Sequence, residues 1–151
     1  MTVTGSQPAT EGSVKSVGEI YQGAYKGVVK VLVTTQGDSS PFGGGGGSQR
    51  AQGSGFVYDS DGHIVTNQHV VDGATSISVQ FWNGSTYDAE LVGSDSSTDV
   101  AVIKVDAPSS VLVPLRFGDS GAVQVGDGVV AIGSPFGLEE TVTSGIVSAL
   151  H

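Results

Sequence analysis

The sequence predicts an all-β fold closed into an antiparallel barrel, and three observations carry that reading. Apolar residues make up 38% of the 151 positions but fall in short runs separated by many of the 24 glycines. Ile77, Val79 and Phe81 alternate with Ser76, Ser78 and Gln80, and Tyr87, Ala89 and Leu91 continue the alternation. That period of two belongs to half-buried strands. Turn residues separate the runs at the spacing of a sandwich or barrel, and the open edges of a sandwich favour closure. One domain is expected at this length.

The elements follow in order. Residues 1–12 are small and polar and read as a disordered tail. Residues 13–25 place Val14, Val17, Ile20, Tyr21 and Ala24 at helical spacing behind a Ser13 cap, with Gly18 and Gly23 against the helix. Residues 28–33 read as a buried strand. Residues 36–52, with Ser40-Pro41-Phe42 and five successive glycines, read as a flexible, poorly ordered loop. No Lys-Ser/Thr follows those glycines, so a phosphate cradle is not indicated. Residues 56–58 and 63–66 flank the turn Asp59-Ser60-Asp61-Gly62. Asn83-Gly84 is the strongest hairpin signal, a turn in which both positions take positive φ. Residues 100–105, 112–117 and 128–133 supply three further strands.

Composition excludes several functions. The net charge is −9, and the six Lys and Arg do not cluster, which argues against nucleic-acid and anionic-membrane partners. There is no cysteine, so disulfides and thiolate metal sites are ruled out. No apolar run approaches a membrane span. Residues 1–8 lack the basic and apolar regions of a secretory signal, so the expectation is a cytoplasmic protein or one whose export segment is absent.

The chemistry concentrates in two motifs. Thr66-Asn67-Gln68-His69-Val70 ends a strand, and Thr98-Asp99-Val100-Ala101-Val102 opens another thirty residues after His69. A carboxylate that holds an imidazole in one tautomer lets it take a proton from a serine hydroxyl. His69 and Asp99 are therefore expected to be adjacent, with Asp95 and Asp106 as competing carboxylates. His63 and His151 read as solvent-exposed. A metal site from His63 and His69, six residues apart across a strand, is disfavoured.

Gly53-Ser54-Gly55-Phe56, the run from Asp61 through His69 to Val71, the run from Thr98 to Lys104 and the run from Val125 to Gly137 together resemble the protease domain of HtrA/DegP-type serine endopeptidases. Residues 141–149 match as well, so the resemblance covers about residues 26–150. It implies the trypsin-like fold of two β-barrels. Residues 26–140 would form the first, a six-stranded antiparallel barrel preceded by a short N-terminal helix. Residues 141–151 would be a linker and the first strand of the second barrel. It also implies that His69 is the general base and Asp99 its orienting carboxylate.

The family's nucleophile motif, Gly-Asn-Ser-Gly-Gly-Pro, does not occur. Gly118-Asp119-Ser120-Gly121 contains the trypsin nucleophile sequence, but Ala122-Val123 follow, and Ser120 precedes the expected last barrel strand at 128–133. Ser120 thus reads as an ordinary turn residue rather than a nucleophile that faces His69 from the opposite barrel. The resulting expectation is part of an endopeptidase that cleaves unfolded or damaged proteins, inactive alone and needing no metal or organic cofactor. Its relatives imply an extracytoplasmic location. A second fragment or homo-oligomer would assemble through residues 13–25 or 141–149, the latter being disordered or paired with another chain. The rival is a non-enzymatic barrel module that binds a partner through its cleft face or terminal strand.

Overall fold

Ser16 begins the first element. Its hydroxyl accepts the Glu19 N–H at 3.2 Å, and the Glu19 carboxylate accepts the Ser16 N–H at 2.8 Å. This reciprocal box satisfies two otherwise orphaned donors and starts helix α1 at Val17–Ala24. The cap is therefore Ser16 and not Ser13. The structure, a computed structural model, describes residues 15–36, 48–133 and 141–150. The tail at 1–12, Ser13, Val14 and the five glycines lie outside those residues. So does His151.

Six strands form the barrel: β1 Val28–Gln36, β2 Ser48–Val57, β3 His63–Thr66, β4 Ala74–Gln80, β5 Thr86–Asp95 and β6 Val100–Val105. Their order around the closed sheet is β1-β2-β3-β6-β5-β4, every pair antiparallel. Val29, Val31 and Val33 alternate inward from β1 and meet Val57, Ile64, Val79, Ile103 and Val105, all buried. β-Branched side chains dominate because they fit the pleated, filled interior of a small barrel.

Several expectations change. The predicted loop at 36–52 is shorter, because β2 already pairs from Ser48 with Gln36 and continues through Gln52 with Leu32. Backbone donors and acceptors of β1 need partners whatever the polarity of the facing side chains, and sequence polarity hid this. At the next hairpin only Gly84 has positive φ, 82°, while Asn83 does not. The Gly84 N–H reaches the Phe81 carbonyl at 2.8 Å, and Asn83 Oδ1 accepts from the Ser85 N–H and hydroxyl. This makes a three-residue loop with one left-handed position.

Leu91 is 48% exposed rather than inward, beside a register shift between Leu91 and Gly93. Residues 112–117 are not a strand. Val111 and Leu112 are buried, the Leu115 N–H bonds the Val57 carbonyl at 3.0 Å, and Pro114 has no N–H to extend a ladder.

β7, Gly128–Gly133, expected as a barrel strand, does not belong to the barrel. The six earlier strands leave no free edge, so β7 pairs with β8, Thr141–Ile146, from Gly128↔Ile146 to Gly133↔Thr141. Bonds from the Gly126 N–H to the Val147 carbonyl and from the Val147 N–H to the Asp127 carbonyl extend that hairpin. Residues 141–146 are thus paired within their own chain. They are ordered, not disordered, and pair one edge with β7, while the outer edge of β8 carries no strand among the described residues. Among the described residues, no helix is long and apolar enough to cross a membrane.

Candidate active site

Register places the two key residues. β3 and β6 pair with Thr66 opposite Ala101. Continuing that antiparallel register one and two steps sets Asn67 against Val100 and Gln68 against Asp99. A thirty-residue gap in sequence becomes adjacency at the ends of two neighbouring strands. The Gln68 N–H donates to the Asp99 carbonyl at 3.2 Å.

After Asn67 the chain turns into α2, Gln68–Val71. Val71 is buried, and Val70 packs so closely on β2 that a Cβ at Gly53 would fall 2.6 Å from its Cγ2. Thr66, the buried polar residue of β3, donates its hydroxyl to the Ser54 carbonyl at 2.8 Å. These contacts fix the short helix that carries His69.

The His69 ring then meets Asp99 directly. Nδ1 lies 2.8 Å from Oδ2 and 3.0 Å from Oδ1, and the His69 backbone N–H reaches Oδ1 at 3.0 Å. An ionised carboxylate only accepts, so Nδ1 carries the proton and Nε2 is left with a free lone pair. The His69 side chain is 70% exposed and Asp99 44%, which leaves the ring open to an incoming group. The Asp99 carboxyl is held below its ordinary value of 3.8, first by the His69 backbone donor, then by the His69 side chain and its charge, with Asn67 adding least and burial opposing. A group of this kind can draw a proton from a hydroxyl and return it to a leaving amine.

The competing carboxylates are engaged elsewhere. Asp95 accepts from the Ser97 N–H and hydroxyl and from the Thr98 hydroxyl, so it builds the turn that delivers Asp99. Asp106 follows the opposite end of β6, about 20 Å along the strand.

His63 is half-buried rather than free, with Nδ1 2.7 Å from Asp59 Oδ2. Asp59 also accepts the Asp61 and His63 N–H groups, which makes this second pair a lock on the β2–β3 turn. Among the described residues no group of three or more His, Cys, Asp or Glu is arranged to hold a metal.

Ser120 begins a 3-10 turn, Ser120–Ala122, capped by the Asp119 side chain. It lies after the closed barrel and before β7, and among the described residues it makes no hydrogen bond to His69. Because β7 lies outside the barrel, Ser120 follows the last barrel strand, β6, rather than preceding it. A hollow of about 510 Å³ opens beside the pair, walled by Ile20, Val28, Phe56, Val65, Val130 and Ile132, with Asn67 and Asp99 also lining it.

The carboxylates at Glu19, Asp59, Asp95 and Asp99 share one pH signature. Each is lowered. For Asp59, burial is the largest influence and acts the other way, but its bonds from His63 and Asp61 outweigh it. Folded values below the unfolded ones mean that these groups stabilise the fold fully above the ordinary carboxylate range. The contribution is lost as pH falls through the folded values. Thermal midpoints are expected to be flat down to about pH 5 and to fall below about pH 4. A midpoint that rises on acidification would contradict this.

Comparison with known proteins agrees with the fold. The family described as trypsin-like peptidase domain matches residues 53–151. Periplasmic serine endoprotease DegP of Escherichia coli K12 is 52% identical over 122 residues, covering 74% of this chain and 26% of the relative. Protease Do-like 1, chloroplastic, of Arabidopsis thaliana is 48% identical over 102 residues, covering 68% and 23%. The solved structure of the HtrA-type protease AlgW with tripeptide superposes with a TM-score of 0.78 at 34% identity, covering 89% of this chain and 40% of that one. The chain thus spans about a quarter of the length of the curated relatives it matches.

Proposed function

From a chain that belongs to the trypsin-like peptidase family, with strong homology to DegP/HtrA serine endopeptidases, we propose that it supplies the base and the orienting carboxylate of a serine endopeptidase. His69 takes the proton of a serine hydroxyl through Nε2 as that serine attacks a peptide carbonyl, and later passes it to the leaving amine. Asp99 keeps the proton on Nδ1 and stabilises the imidazolium. The observation that carries this reading is the two-oxygen contact between Asp99 and His69 Nδ1 at 2.8 and 3.0 Å, with the His69 side chain 70% exposed.

The substrates are unfolded or damaged proteins and the location is extracytoplasmic, by likeness to relatives whose names place them in the periplasm. Assembly through residues 13–25 belongs to the same reading, supported by the exposure of Val17 and Ile20 on α1. Residues 141–149 are a weaker candidate for assembly, because 141–146 are paired with β7.

Ser120 is not the nucleophile in this account. Its hydroxyl sits in a capped 3-10 turn apart from the His69 hydrogen-bond network. The 151-residue chain alone is therefore expected to hydrolyse a peptide ester at the solvent rate, with Ser120→Ala making no difference. Turnover by the pure chain that disappears in Ser120→Ala would overturn this and make Ser120 the nucleophile.

A further inference from the structure

The geometry points to Asn67 as a positioning residue that fixes the orientation of the Asp99 carboxylate toward His69. Asp99 has φ 54°, the one positive value at a non-glycine among the described residues. Aspartate tolerates this left-handed backbone better than most residues, but it needs support from its surroundings. Asn67 Nδ2 spans both ends of Asp99, reaching Oδ2 at 3.0 Å and the backbone carbonyl at 3.3 Å. Both of those atoms only accept, so the amide nitrogen must face them. The His69 N–H holds Oδ1 at 3.0 Å while Asn67 holds Oδ2. With each oxygen pinned by a different donor, the carboxylate plane cannot swing away from Nδ1.

A second observation separates this role from a commonplace one. Asn67 is the N-cap of α2, where an asparagine side chain ordinarily accepts a helix N–H. Here it makes no side-chain cap bond. It is turned outward to Asp99 instead. Among the influences that lower the Asp99 carboxyl, the Asn67 bond is the smallest, so its contribution is orientation more than charge.

The inference rests on reading His69 and Asp99 as a base and its carboxylate, and its test needs no turnover. Nitrogen NMR of the imidazole in the 151-residue chain, at a pH where His69 is neutral, reads the ratio of Nδ1–H to Nε2–H tautomers. Asn67→Ala removes the donor. Asn67→Asp is isosteric and caps helices equally well, but it cannot donate when ionised. Both variants are expected to stay folded and to lower the ratio by about fivefold or more. A wild-type ratio in either folded variant would overturn the proposal. Recovery of the ratio in Asn67→Asp alone would assign the residue to capping. Unfolding of both would overturn it too, since an exposed orienting residue should not decide stability. If His69→Ala left peptide hydrolysis unchanged in every form of the protein that hydrolyses peptides, while the ratio fell as expected, the protease reading would fail and the positioning role would stand.

Discussion

Replacing His69 by alanine, in a form of the protein that hydrolyses peptides, is expected to lower kcat by on the order of 10⁵- to 10⁶-fold with KM little changed. Asp99→Asn is expected to cost on the order of 10⁴-fold. The two numbers have different physical origins. Without His69 no group accepts the serine proton, and hydroxyl attack must proceed without a base. With Asn at 99 the amide can present a donor to Nδ1, which then gives up its proton and shifts the ring to the wrong tautomer. The basic lone pair points at residue 99 instead of the serine. The close contacts from Nδ1 to both Asp99 oxygens make that dependence specific. Because both residues act on the reacting proton and not on substrate affinity, the loss belongs in kcat. Steady-state kinetics on a peptide ester would measure it. A loss below about tenfold in His69→Ala would remove His69 from the mechanism.

Ile103→Ala is expected to destabilise the fold by about 2–5 kcal/mol. Ile103 is fully buried at the centre of β6 and faces Ile64 of β3 across the ladder. Truncation leaves a cavity between strands that the closed barrel cannot collapse without breaking register. Against a total stability of about 5–15 kcal/mol this is a large fraction. Leu91, Ile103's partner on the other side but 48% exposed, should tolerate alanine within about 0.5 kcal/mol. Urea midpoints of the two variants, at unchanged slope, would decide it. Equal losses would mean that the barrel interior is not where the stability lies. The two predictions are linked, because β6 begins one residue after Asp99 and any loosening of its pairing disturbs the carboxylate.

The barrel was legible where side chains carry the signal. Alternation in β4 and the valine-rich run of β1 follow directly from which face is buried. The adjacency of His69 and Asp99 was legible through motif spacing. What the sequence hid is mostly backbone pairing. Ser48–Gln52 looks like loop because its side chains are polar, yet β1 requires its N–H and C=O groups. The strand at 128–133 has the composition of a barrel strand. Only counting which edges remain free excludes it from the barrel and turns it toward β8. Asn67 was visible as a motif residue, but its role depends on the left-handed backbone at Asp99. An aspartate after the turn-forming run Ser96-Ser97-Thr98 is the one local hint of it.

The central claim is that His69, oriented by Asp99, activates a serine other than Ser120. Labelling a peptide-hydrolysing form of the protein with a serine-directed fluorophosphonate and mapping the adduct by mass spectrometry tests it most directly. The account predicts a single modified serine that is not Ser120, with labelling abolished in His69→Ala. An adduct on Ser120, or labelling at an unchanged rate without His69, would contradict it.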